Sequence, residues 1–152
     1  MSSPYRQIHL DFHTSPAIRD VGVLFDPEAF ARTLSAAQVE SVNLFAKCHH
    51  GYFYYPTKVG EMHPGLSFDL LGAQVKACRR QGIGVVIYTC AVWNERASEL
   101  YPQWMQLDRE GRLGCVAPFS SDYYKWHNMC VGHPEYRQYL MKEIEEEIRL
   151  FS

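Results

Sequence analysis

The sequence predicts an α/β fold, the N-terminal part (about three βα units) of a TIM (β/α)8 barrel, and three observations predict it. Strand-like and helix-like segments alternate at intervals of roughly 35 to 45 residues, the rhythm of parallel βα repeats. The first strand segment, Gln7 to Phe12, sets Ile8, Leu10 and Phe12 on one face and, running on to His13, sets His9, Asp11 and His13 on the other. A central strand of a doubly wound sheet is apolar on both faces, whereas a barrel strand sends polar side chains into the lumen near its C-terminal end. The third observation is the adjacent pair His49 and His50, placed where an apolar run gives way to a loop. That strand end is where barrels carry their chemistry.

Each element follows in order. Asp26 can cap and Pro27 can open the helix after the first strand. Val39 to Ala46 reads as the second strand, and Ser67 to Gln81 as its helix, with Phe68, Leu71, Val75 and Cys78 at helical spacing. Gly84 to Thr89 (GVVIYT) is the third strand. Ala91 to His133 is longer than a structural connection requires and carries Trp93, Trp104 and Trp126, so it reads as functional rather than disordered. Within it, Met105 to Leu113 predicts a small hairpin turning at Arg109 to Gly111. Pro134 opens a last helix with the apolar seam Tyr136, Leu140, Ile144, Ile148 and Phe151, and the acidic run Glu143, Glu145, Glu146 and Glu147 is assigned to its solvated face. A complete barrel needs about 250 residues, so residues 1–152 read as three units of one catalytic domain, with a fourth strand expected just past Ser152.

Composition narrows the function classes. A net charge of -2 with scattered basic residues leaves no electrostatic footprint for nucleic acid. No apolar run reaches membrane-spanning length, so no membrane partner is expected. Met1-Ser2-Ser3-Pro4-Tyr5 lacks the charged-then-apolar pattern of a secretion signal, which makes the cytoplasm the expected compartment. The five cysteines (Cys48, Cys78, Cys90, Cys115, Cys130) form no C-x-x-C pair and are odd in number, so they read as reduced and structural.

The candidate site centres on His13, His49 and His50, with His9 and Asp11 deeper along the first strand. The loops His49 to Gly65 and Ala91 to His133 would sit above the barrel mouth, where aromatic rings suit the apolar faces of sugars and their polar tips suit the hydroxyls. Trp104, Trp126 and His127 read first as loop core, and Tyr88 and Trp93 divide evenly between packing and binding. Glu61, Glu95, Asp108 and Asp122 lie on loops, but no spacing singles out a general acid among them. A second class stays open, a metal-dependent barrel hydrolase using His9, Asp11, His13, His49 and His50. Against it, His9 and His13 on one extended strand would stand about 13 Å apart, too far for one ion. A chelator separates the two classes. A third class is a non-catalytic carbohydrate-binding fragment, made doubtful by the open strand edges and exposed lumen of a partial barrel.

The stretch Ala46-Lys47-Cys48-His49-His50-Gly51-Tyr52-Phe53-Tyr54-Tyr55-Pro56-Thr57-Lys58 resembles the lysine, paired-histidine, glycine and aromatic signature of the α-L-fucosidase barrels. Ile87-Tyr88-Thr89 followed by Trp93 is similar to their third strand. Gln7 to Ser15, His127 to Val131 and His133 to Arg137 resemble the start of the catalytic domain in the hypothetical glycosyl hydrolase 6 group. The resemblance implies that His13, His49 and His50 hydrogen-bond sugar hydroxyls, that Tyr88 and Trp93 shape the same pocket, and that Asp11, Tyr52, Trp126 and His127 lie near it. It also implies retaining hydrolysis with an aspartate nucleophile on a fourth strand and an acid/base on a later loop. Both positions are expected beyond Ser152, so these residues alone would not turn over substrate. The partner is a carbohydrate, no cofactor or metal is called for, and a homo-oligomer, a trimer by analogy, is implied for the full-length parent.

Overall fold

Val42, Leu44 and Ala46 alternate along one apolar face of a β-rich segment, and that segment becomes the middle strand of the fold. The computed structural model describes residues 5–111, 115–116 and 126–152. In it, β1 (Gln7–His9), β2 (Ser41–Lys47) and β3 (Gly84–Thr89) form a parallel sheet in the order β1-β2-β3. The register pairs Ile8 with Val42 and Val42 with Val85.

Helices α1 (Pro27–Ala36), α2 (Leu70–Arg80) and α4 (Pro134–Phe151) bring Leu34, Leu71, Val75, Cys78 and Phe151 into one cluster with Val42, Leu44 and Ala46. These helices therefore cover the same face of β2. The other face carries polar side chains low in the sheet: Gln7 Nε2 donates to Asn43 Oδ1 at 3.0 Å, and Asn43 Nδ2 lies 3.1 Å from His9 Nδ1. Asp26 caps α1 as its sequence suggests, accepting from the amides of Glu28 and Ala29, and Asp69 caps α2 through Gly72. The long segment after β3 holds α3 (Glu95–Leu100), a 3-10 turn (Pro102–Trp104) and the antiparallel pair β4 (Cys115–Val116) and β5 (Trp126–His127).

Four expectations are corrected. The first strand ends at His9 rather than Phe12, because its ladder with β2 stops at the His9–Asn43 pair. The chain then bends, so that Asp11 Oδ1 lies 2.8 Å from His13 Nε2 and 3.6 Å from His9 Nε2, and the two histidines are much closer than an extended strand would hold them. The aromatics after Gly51 do not face solvent: Phe53, Tyr54 and Tyr55 are fully buried, since the loop folds back against Lys47 and Met62. Of the expected hairpin the structure describes the turn, which the Gly111 amide closes on the Asp108 carbonyl, and the first arm, where Met105 pairs with Met129; residues 112–114 lie outside the described region.

The fourth correction concerns α4. Glu143, Glu146 and Glu147 are buried and only Glu145 of the acidic run faces solvent, while Ile144 and Ile148 are 41% and 59% exposed. Positions i, i+3 and i+4 share a helix face, and here that face meets donors instead of water. Lys47 Nζ, wholly buried, donates to both Glu143 oxygens at 2.7 and 2.6 Å. Glu146 accepts from Tyr55, Thr57 and the Lys58 amide, and Glu147 accepts from the Thr89 hydroxyl at 2.6 Å. The register irregularity between Phe45 and Lys47 lets consecutive residues Ala46 and Lys47 both serve the helix side. No helix among the described residues is long and apolar enough to cross a membrane.

Candidate sugar-binding site

The site is assembled at the C-terminal ends of the three strands. β2 ends at Lys47, and the next three residues make a turn in which the Gly51 amide donates to the Cys48 carbonyl at 3.0 Å. Gly51 has φ +85°, and a Cβ there would run into Asn94 Oδ1 and Arg96, so the motif glycine is required twice over. That close approach seats α3 on the histidine pair: the Glu95 amide donates to the His49 carbonyl at 2.9 Å and the Arg96 amide to the His50 carbonyl at 3.2 Å. Asn94 is buried, and its Oδ1 caps the same helix.

Six of the expected residues converge. His13 Nδ1 and His49 Nδ1 are 3.0 Å apart, and the His50 ring lies tilted 4.2 Å from that of His49. Asp11, accepting from His13 Nε2, leaves Nδ1 of a neutral His13 as the acceptor that faces His49. Trp126 lies 4.6 Å from the His49 ring and 4.7 Å from Trp93, which makes an aromatic wall beside the pair. Burial pushes His49 down to about 4, with His50 and His13 adding like-charge opposition, and burial also lowers His50. Both are neutral imidazoles near pH 7, each offering one donor and one acceptor to a hydroxyl-rich ligand.

Tyr88 and Trp93 line an open hollow of about 460 Å³ with Cys90, Ala91, Val92 and Asn128. Tyr88 reaches the histidine side through Phe45 at 4.2 Å and His9 at 5.9 Å, and burial raises its hydroxyl to about 12. His127 joins through Glu95, which accepts from its backbone amide and lies 2.6 Å from its Nδ1. This clip holds Trp126 in place. Tyr52 stands apart, with Arg96 over its ring and His63 at its edge. Trp104 is loop core, donating from Nε1 to Glu135. Of the loop carboxylates, Glu61 pairs with Arg96, Asp108 accepts from the Glu110 amide, and Asp122 lies outside the described residues. Sequence reasoning gave no role in the site to Lys47, Cys48 or Glu95, whose partners Glu143, His13 and His127 come from distant segments and leave no local pattern. Among the described residues, one group of three ligand atoms lies close enough for a metal ion: His13, Cys48 and His49.

A parallel α/β sheet that gathers histidines and tryptophans at the C-terminal ends of its strands has them where barrel enzymes carry their active sites. The chain matches the family described as "Hypothetical glycosyl hydrolase 6" over residues 26–151, and it belongs to that family. It is similar to the α-L-fucosidase isoenzyme 2 of Paenibacillus thiaminolyticus, with 39% identity and a TM-score of 0.87 over 97% of this chain and 22% of that one. The α-fucosidase of Thermotoga maritima in complex with fucose shares the fold at 21% identity and a TM-score of 0.55, over 84% of this chain and 26% of that one. A GH29 α-L-fucosidase of Bacteroides thetaiotaomicron does so at 16% identity and 0.59, over 84% and 25%. The chain thus spans about a quarter or less of the length of the first two of these enzymes. A comparison with curated proteins returned no match.

Proposed function

We propose that this chain is the sugar-holding part of an α-L-fucosidase-like glycosidase, the first three βα units of a (β/α)8 barrel. The observation that carries the reading is the convergence of His13, His49 and His50 with Trp93 and Trp126 at the C-terminal ends of parallel strands. Neutral imidazoles hydrogen-bond hydroxyls and an indole wall covers an apolar sugar face, which suits a deoxy sugar such as L-fucose. The fucosidases it resembles support that choice.

Hydrolysis by the parent would be of the retaining type, with the nucleophile and acid/base supplied by further βα units. Those units would cover the open edge of β3 and the hollow of about 400 Å³ lined by Ile87, Ile144 and Ile148. The parent would be a homo-oligomer. The test is a titration of the chain with L-fucose read by tryptophan fluorescence. Saturable binding is expected, weakened about tenfold or more in His49→Ala, the loss of one buried hydrogen bond or more. A nitrophenyl α-L-fucoside should not be hydrolysed by these residues alone. An unchanged signal in the wild type, or equal affinity in the variant, contradicts the reading.

A further inference from the structure

We infer that His13, Cys48 and His49 form a binding site for a borderline-soft divalent cation of the zinc class, and that occupation of this site excludes the sugar. The cation site rests on geometry alone; the exclusion rests on the sugar-binding reading above. One ligand atom from each of the three residues lies within 4.8 Å of the others, and the two Nδ1 atoms are 3.0 Å apart. A tetrahedral zinc ion with bonds of about 2.1 Å to nitrogen and 2.3 Å to sulfur sets its ligands about 3.3 to 3.7 Å apart. Ligand movements of an ångström or less would close the triad around an ion. The donor set of two imidazoles and one thiolate selects against calcium and magnesium, which take oxygen ligands.

The groups behind the triad fit the same use. Asp11 accepts from His13 Nε2 at 2.8 Å, the carboxylate–histidine arrangement that turns the other ring nitrogen toward a metal. The Tyr54 hydroxyl donates to Cys48 Sγ at 3.1 Å, a bond that strengthens as the sulfur becomes a thiolate. Tyr54 is held in turn by the Thr14 amide at 3.2 Å. Cys48 and His49 are buried, while His13 keeps a third of its side chain exposed and leaves an approach for the ion and a fourth ligand from solvent. A metal held by His13 and His49 takes up lone pairs of two of the three imidazoles that the sugar reading assigns to hydroxyls, so the two ligands compete.

The experiment is a Co²⁺ titration of the EDTA-treated full chain, followed by absorption. One equivalent should produce a thiolate-to-cobalt charge-transfer band with d–d bands of tetrahedral intensity, displaced by Zn²⁺. Cys48→Ser should lose the charge-transfer band. His13→Ala, at a partly exposed position outside the strands and the core, should bind at least tenfold more weakly. Absence of the band in the wild type, or an unchanged band in both variants, overturns the site. In a parallel fluorescence titration, saturating Zn²⁺ should reduce L-fucose affinity at least tenfold relative to EDTA, and equal affinity overturns the exclusion. Cobalt binding without any fucose binding in EDTA would leave the cation site standing and overturn the sugar reading instead.

Discussion

Gly51 shows how one residue sets the geometry of the site. Its left-handed backbone and the contact its missing Cβ permits with Asn94 bring α3 onto the carbonyls of His49 and His50. Gly51→Ala is expected to destabilise the fold by roughly 2 kcal/mol or more in urea unfolding, through strain at positive φ and the clash with Asn94. A loss below half of that would mean that α3 can retreat freely. At this scale the sequence was partly legible. The paired histidines at a strand end and His13 on the alternating polar face pointed to one cluster, and the structure brings them together. Cys48 was not legible as a participant, because its neighbour His13 comes from another segment and no C-x-x-C spacing marks it.

The element that departs most from its sequence pattern is α4. Three of the four residues in its acidic run are buried while Ile144 and Ile148 of its seam are exposed, because Lys47, the loop residues Tyr55 and Thr57, and Thr89 stand where a solvent face was expected. A charge run is read as solvated when its partners are distant in sequence, and these partners are 58 to 96 residues away. Helix limits, by contrast, were legible from Asp26, Asp69 and Pro134, since capping is local chemistry. Two predictions belong here. Glu143→Gln alone should cost about 3–5 kcal/mol by leaving Lys47 charged and unpaired, whereas Lys47→Met with Glu143→Leu should cost much less; equal losses in a urea series would contradict the buried pair. Burial pushes the Glu147 carboxyl up to about 7. Its folded pKa lies above the unfolded value, so its contribution is full below about pH 4.5 and is lost as pH rises through about 7. Glu147→Gln, which mimics the protonated form, should match the wild type at pH 4.5 and exceed it at pH 8 by about 3 kcal/mol at most. Parallel pH profiles would exclude this.

The whole molecule is a one-sided layer: α1, α2 and α4 cover one face of a three-stranded sheet whose other face carries His9, Asn43 and Tyr88. This asymmetry follows from the alternation along the first two strands, and it is the ground on which a barrel is expected in preference to a doubly wound sheet. The open side is apolar, with Ile144, Ile148 and Ile87 around one hollow beside β3. Exposed apolar surface next to an unpaired strand favours association. Sedimentation velocity should show concentration-dependent self-association of the chain, reduced by Ile144→Glu combined with Ile148→Lys. A concentration-independent monomer for the unsubstituted chain would show that this face is tolerated without a partner.

The central claim is that the histidine cluster holds a sugar, and its most direct measurement is the ring-nitrogen NMR spectrum of the seven histidines during titration with L-fucose. The account predicts saturable shifts at His13, His49 and His50. His63, whose ring nitrogens are engaged by the Ser15 carbonyl at 3.1 Å and the Gly65 amide at 3.0 Å, should shift less than these three. Stationary resonances at His49 and His50 under saturating sugar would contradict it.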